Sequence, residues 1–335
     1  MPRLTIVLAA LAAALLSAPN APAQVLKLAT LAPEGSPWHD VIVDIGESWK
    51  TASDGRVTLH VYAGGVAGDE PDMIRKMRIG QLQAAALSGA GLAQITPEIQ
   101  ALQMPMMLAS YEELDYVRDR LAPKLETITE AHGFKILNWA DAGWVHFFAK
   151  RQVIRPSEMK PLKIFTWEGD PTYAEVMKRM GFQPVPMAAT DIYTGLESGL
   201  INAFPTTPIA ALSFQWFGLA KHMTDVKWAP LVGAMVVSAT AWRSLPDELK
   251  PRLAQAAQDA AVRARSKIRP LEDDAIAAMK THGLLVDPVP PDALKEWEVI
   301  GRQSYPYLVG KVVPAAMVAE VERLRDEYRA KKASQ

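Results

Sequence analysis

Side chains able to do chemistry are few in this chain, and their spacing is uninformative. The six histidines, His39, His60, His132, His146, His222 and His282, never stand four apart with a glutamate between, so the zinc-protease pattern is missing. Ser157-Glu158-Met159-Lys160 matches S-x-x-K, but no K-T-G or S-D-N partner accompanies it, and Ser157 reads as a turn cap. There is no G-x-S-x-G elbow, phosphate loop or G-x-G-x-x-G fingerprint. Glu272-Asp273-Asp274 lines up three carboxylates on a helix, which reads as a solvated face. The chain has no cysteine, which removes thiolate nucleophiles, zinc–thiolate sites and disulfide scaffolds. The residues therefore predict no catalytic group, no metal site and no cofactor.

What the chain does carry is aromatic surface near its middle. Trp139, Trp144, Phe147 and Phe148 come first, then Phe165 and Trp167 in one strand, Phe204 near another, and Phe214, Trp216 and Phe217 in a following helix. An aromatic residue is more often core than ligand contact. Trp167 is different, because it closes a predicted strand and is followed by Glu168-Gly169-Asp170. Open α/β sheets hold their ligands outside such strand ends. Asp170 also suits the N-cap of a helix starting at Pro171. A carboxylate beside an indole leaves room for a cationic ligand held by cation–π contact.

The elements that must position these residues alternate. Strands are predicted over 25–31, 57–62, 83–87 and 162–167, with helices over 38–51, 72–79 and 171–180, which is the pattern of α/β layers on a mostly parallel sheet. Residues 249–282 read as one long Ala-rich helix interrupted at Pro270, 288–291 as a surface stretch, and 317–332 as a terminal amphipathic helix. A length of 335 residues fits two domains rather than one. Near balance of 36 basic against 37 acidic residues excludes the broad basic surface of a nucleic-acid binder. Arg3, the apolar run Leu4–Leu16 and the triplet Ala21-Pro22-Ala23 form a secretory signal with cleavage between Ala23 and Gln24. Later apolar stretches are too short to span a bilayer, so an exported periplasmic product is expected.

The loop Gly64-Gly65-Val66-Ala67-Gly68-Asp69-Glu70 and the run from Met73 to Gln83 resemble the early signature of the DctP-type solute receptors of tripartite ATP-independent periplasmic (TRAP) transporters. Similar matches follow in order at 159–164, 180–187, 191–202 and Trp242-Arg243-Ser244-Leu245-Pro246. The resemblance implies a two-domain α/β periplasmic-binding-protein fold, type II-like, hinged at crossing strands near 148–151 and 234–237, with a long helix behind both domains. The domains are expected as 24–149 plus about 237–335, and 150–236. The implied partners are a small solute, captured by cleft closure, and the membrane permease subunits that receive it.

Departures from the family pattern bear on the ligand. Family members that take organic acids usually carry an arginine after the Leu-Lys-Ile strand, where this chain has Phe165, and a second after Gly-Phe, where it has Val145 following Gly143-Trp144. The late Gln-Glu-Asn-Pro stretch is replaced by Phe204-Pro205-Thr206-Thr207. A carboxylate buried without a cation is costly. The expected ligand is therefore apolar, aromatic or amphipathic rather than a simple C4-dicarboxylate. Trp38, Trp144, Phe165, Trp167, Asp170, Thr206 and Trp216 are the expected contacts. Two other readings stay open: an organic-acid receptor that uses a different cation, with Arg179 or Lys163 reaching in, and a periplasmic enzyme using Glu168 or Asp170 as base.

Overall fold

The computed structural model describes residues 23–334, and the expected signal segment falls almost wholly outside them. The described residues form nine strands in one sheet: β1 (Gln24–Thr30), β2 (Val57–Tyr62), β3 (Ala84–Ser88), β4 (Phe134–Ala149), β5 (Lys163–Trp167), β6 (Gln183–Met187), β7 (Ala203–Thr206), β8 (His222–Ser238) and β9 (Leu285–Asp287). Their order is β2-β1-β3-β8-β4-β7-β5-β6, with β9 paired to β8. The predicted strands are present, and mixed α/β layering is the architecture found.

Two strands organise everything else. β4 and β8 have 16 and 17 residues and pair antiparallel along most of their length. One end of the pair carries β3, β1 and β2 beside it, and the other carries β7, β5, β6 and β9. The sheet thus serves two lobes, each with its own apolar layers. Alternation in β4 and β8 sends Ile136 and Val236 into the layer under the helix Tyr111–Ala131. Leu137, Met235 and Val237 face the opposite layer, with Ile45 and Trp49 of the helix Pro37–Ala52. With both faces covered, β4 is buried almost throughout, which removes the polar alternation that marks a strand in sequence.

Local signals set the ends of the helices that reach the lobe interface. Ser36 caps Pro37–Ala52, accepting from His39 N. Asp170 caps Pro171–Arg179 by accepting Tyr173 N at 2.9 Å, and Thr207 caps Pro208–Ser213. The Ala-rich stretch is two helices, Lys250–Ile268 and Leu271–Thr281, broken at Pro270 as its ring requires. The first packs on Pro37–Ala52 and β4, and Trp49 Nε1 donates to Leu253 O at 2.9 Å. The second packs on Pro208–Ser213 in the other lobe, so the pair runs behind both. Beyond the surface prolines 288–290 lies a helix that the periodicity reading did not include, Pro291–Leu308, followed by Ala315–Ala333.

β4 shifts register between Asp141 and Gly143, where the chain passes from one lobe to the other. Gly143 has φ +107°, and a Cβ there would lie 3.2 Å from Cβ of the buried Thr207. Only glycine takes that backbone without strain. Gly143→Ala is expected to cost about 1–3 kcal/mol and to lower the calorimetric melting midpoint. An unchanged midpoint would mean that the bulge relaxes freely.

Candidate functional site

Between the lobes lies a cavity of about 600 Å³. Its walls come from both sides: the loop after β1, the start of Pro37–Ala52, the ends of β3, β5 and β7, and the middles of β4 and β8. Behind these, the last turn of Lys250–Ile268 closes the back. The cavity therefore lies at strand ends and helix termini, where side chains from separate segments can converge.

Six of the seven residues named from sequence line this cavity: Trp38, Phe165, Trp167, Asp170, Thr206 and Trp216. Trp144 does not. Its ring has no exposed surface and packs against Tyr111 with centroids 5.7 Å apart, within the core beneath the helix Tyr111–Ala131. Neighbouring Val145 faces the cavity instead, because alternation along β4 points adjacent residues to opposite faces. Phe165 and Trp167 have centroids 6.0 Å apart, and Trp216 stacks on Phe214 at 4.5 Å. Together they form an aromatic wall supplied by the second lobe. Glu168 is exposed and off the cavity, and Asp170 is engaged in its helix cap.

The cations are not where the sequence suggested. Arg179 is exposed and paired with Glu175, and Lys163 is exposed on β5. The cavity is instead lined by Arg265 and Arg269. Both belong to a charge cluster centred on Arg118, which has no exposed surface. Arg118 binds Asp141 at 3.1 Å, Asp115 at 2.6 Å and Asp119 at 2.9 Å. Arg269 forks onto Asp115 at 2.7 and 2.8 Å, and its Nε meets Asp141 at 2.9 Å. Burial opposes the charge of Asp115, but its hydrogen bond to Arg269 and the charge of Arg118 outweigh that and hold its carboxyl below the usual range. For Arg269, burial is likewise outweighed by the Asp115 and Asp141 contacts, which raise its affinity for the proton.

Arg265 is the least satisfied member. Its nearest carboxylate contact is Asp115 at 4.0 Å, and its buried Nε has no hydrogen-bond partner among the described residues. Burial and the charge of Arg118 both lower its proton affinity, yet a guanidinium stays charged at neutral pH. Two more cavity residues hold buried polar atoms without partners, Trp38 Nε1 and Thr166 Oγ1. Trp38 packs against a buried cluster that includes Ala264 and Ile268 of the helix that carries Arg265. A buried unpaired donor costs about 1–3 kcal/mol, so Arg265 Nε and Trp38 Nε1 are groups that water or a solute can satisfy.

Two acidic residues complete the surroundings. Glu272, read from sequence as part of a solvated face, is buried; it accepts Tyr111 Oη at 2.9 Å and Trp144 N at 3.1 Å, while Asp273 and Asp274 stay exposed. Helical alternation separates neighbours that composition lumps together. Glu70, at the start of the helix Glu70–Arg78, lines the cavity and accepts Ser88 N at 2.6 Å and Ser88 Oγ at 2.7 Å. Burial pushes its pKa up to about 7, against the lowering effect of the Ser88 contacts. No group of three or more potential metal ligands occurs among the described residues.

Two α/β lobes joined by crossing strands, closing on a cavity with an aromatic wall and guanidinium groups at its back, define a solute-binding protein. The chain belongs to the bacterial extracellular solute-binding protein family 7, the DctP family, whose pattern matches residues 28–310. Members of this family are periplasmic receptors that bind small solutes and work with the membrane permease subunits of TRAP transporters. The chain is 26% identical over 257 residues to a solute-binding protein of Roseobacter denitrificans, covering 73% of this chain and 75% of that one. It is 25% identical over 236 residues to the 2,3-diketo-L-gulonate-binding periplasmic protein of Escherichia coli, covering 69% and 71%. Among solved structures, a TRAP periplasmic solute-binding protein of Xanthobacter autotrophicus with bound β-D-galacturonate superposes with TM-score 0.83 at 18% identity, over 90% of this chain and 99% of that one. One from Sulfurospirillum deleyianum with bound succinate gives 0.84 at 17% identity, over 91% and 100%. The fold is thus the two-domain periplasmic-binding-protein fold. No helix among the described residues is long and apolar enough to cross a membrane.

Glu70 generates a pH prediction. Its folded pKa, about 7, lies above the ordinary 4.5, so the folded state favours the protonated acid. The contribution of Glu70 to stability is therefore greatest below pH about 4.5, falls as pH rises, and its full penalty stands above about 7. Glu70→Gln keeps the neutral geometry, since an amide oxygen can take Ser88 N–H while its NH₂ donates to Ser88 Oγ. The variant is expected to be more stable than the parent at pH 8, by up to about 3 kcal/mol, with no advantage at pH 4. Denaturant titration at both values checks this; equal stability at pH 8 would refute it.

Proposed function

We propose that this chain is the periplasmic receptor of a TRAP transporter for an organic acid with an apolar or aromatic body, its carboxylate met by Arg265. The buried, unpartnered Nε of that half-buried arginine, a residue of the cavity wall, is the observation that carries the reading. It answers the problem posed by Phe165 and Val145. The cation absent from the strand positions is supplied from the helix at the back, and Trp38 Nε1–H offers a second donor on the neighbouring surface. Donors without acceptor capacity suit an anion.

The body of the solute is set by the opposite wall. Phe165, Trp167, Phe214 and Trp216 line the cavity and present apolar faces there. Asp170 lines the same side, and a second carboxylate set beside it would meet like charge. A single-headed acid with an aromatic or aliphatic body suits this balance better than a C4-dicarboxylate. The bound organic acids of similar proteins, galacturonate and succinate, support the coarser assignment to carboxylates.

The same reading covers capture and delivery. The lobes, which meet where β4 passes Asp141–Gly143 and β8 passes Leu231, close on the solute, ligand binding biasing an open–closed equilibrium, and the loaded receptor hands it to the permease. No chemistry is assigned to the site, since its carboxylates sit in caps and hydrogen-bonded pairs. Cleavage between Ala23 and Gln24 leaves β1 as the first element of the mature chain, and amino-terminal sequencing of exported protein checks it.

Calorimetric titration tests the ligand. Phenylacetate, indole-3-acetate and hexanoate are expected to bind in preference to succinate and galacturonate, and to be recovered unaltered. Arg265→Met is expected to weaken the best of them about 10- to 100-fold. Preference for succinate would overturn the apolar-body reading, and undiminished binding by the variant would overturn the role of Arg265.

A further inference from the structure

One hydrogen-bonded carboxylate joins the two lobes at the mouth of the cavity. Asp69 stands in the loop after β2, in the first lobe, and is only 5% exposed. Its Oδ2 accepts Trp167 Nε1 at 2.7 Å and Ala189 N at 2.9 Å, both from the second lobe, where Trp167 ends β5 and Ala189 follows β6. Its Oδ1 accepts Glu70 N at 2.8 Å, in its own lobe. Gln94 Nε2 adds a lobe-to-lobe bond to Gly169 O at 2.8 Å. The same Trp167 presents its ring to the cavity.

We propose that Asp69 is a positioning residue that clasps the lobes through Trp167, so that the same hydrogen bond favours the closed arrangement and sets the pose of the indole facing the solute. A buried carboxylate is stable only while N–H donors surround it. Here two of the three come from the opposite lobe, so closure exchanges water on the carboxylate for these protein donors. Bonds to an ionised acceptor are roughly twice as strong as neutral ones. A solute pressed against the Trp167 ring holds its N–H in line with Asp69, and a loosened ring gives up the clasp. Trp167 thereby couples occupancy of the cavity to closure. This role is distinct from that of Arg265, which meets the solute itself.

The absence of cysteine lets spin labels be placed cleanly, at Lys50→Cys in the helix Pro37–Ala52 and Glu197→Cys in the helix Ile192–Ser198, both exposed. Double electron–electron resonance is recorded on solute-free protein, with otherwise native sequence and with Trp167→Phe, Asp69→Asn or Asp69→Ala. Trp167→Phe keeps the aromatic wall and the helix cap while removing the N–H, which separates the clasp from both. The native pair is expected to show a dominant short-distance population. In Trp167→Phe and Asp69→Ala the ratio of short to long distances is expected to fall about tenfold, with Asp69→Asn between them. Unchanged distances in Trp167→Phe, a shift confined to the Asp69 variants, or a native chain mostly at the long distance would each overturn the clasp. Because no solute enters this test, its failure leaves the assignment of Arg265 standing, and failure of the titrations above leaves the clasp standing.

Discussion

The burial of Arg118 is the constraint around which this molecule is arranged. A guanidinium removed from water must be surrounded by acceptors, and removing one partner of a buried pair leaves a charge whose cost is about 3–5 kcal/mol. Its carboxylates come from different parts of the chain: Asp115 and Asp119 from its own helix, and Asp141 from the crossing strand β4. Asp115 and Asp141 then recruit Arg269 from the end of the helix at the back. Helix, crossing strand and back helix are thereby fixed relative to one another by charge as well as by packing. The cluster also leaves a surplus. Three guanidinium groups share Asp115 and Asp141, with Asp119 reaching only Arg118 from the surface, and Arg265 is the one left with unused donor capacity beside the cavity.

Much of this was readable from the sequence because much of it is local. Asp170-Pro171 and Ser36-Pro37 announce their helices through capping chemistry, and Pro270 announces the break through its ring. The aromatic wall was legible in the same way, since Phe165 and Trp167 stand at the end of a strand and Trp216 follows shortly after another. Covered elements were harder. β4 and β8 are buried on both faces over most of their length, so neither shows the alternation that identifies a half-exposed strand.

The cations were hidden for a different reason. Arg265 and Arg269 stand about one helical turn apart in a segment rich in exposed basic residues, and nothing local separates a guanidinium that reaches the cavity from one that reaches water. Arg263 and Lys267, two positions away on either side, are exposed. Only the packing of that helix against β4 and Pro37–Ala52 decides which face is which. Trp144 shows the same limit in reverse, as its type and position suited a ligand contact but the pleat of β4 turned it into the core. Glu272 departs from the solvated acidic run for a related reason, because its neighbour in space is Tyr111 across the lobe boundary.

The aromatic wall and the guanidinium groups belong to separate stretches of chain, residues 165–216 of one lobe and 265–269 behind both. Substitutions at Phe165, Phe214 or Trp216 can therefore widen, narrow or reshape the space without touching the arginine cluster, whereas Trp167 also serves the buried Asp69 carboxylate. The reverse does not hold, since Arg269 is tied through Asp115 and Asp141 to Arg118, in a network that joins two helices and the crossing strand. What the cavity accepts can thus be altered one aromatic side chain at a time, whereas a change at the charged end strands a buried partner elsewhere in the fold.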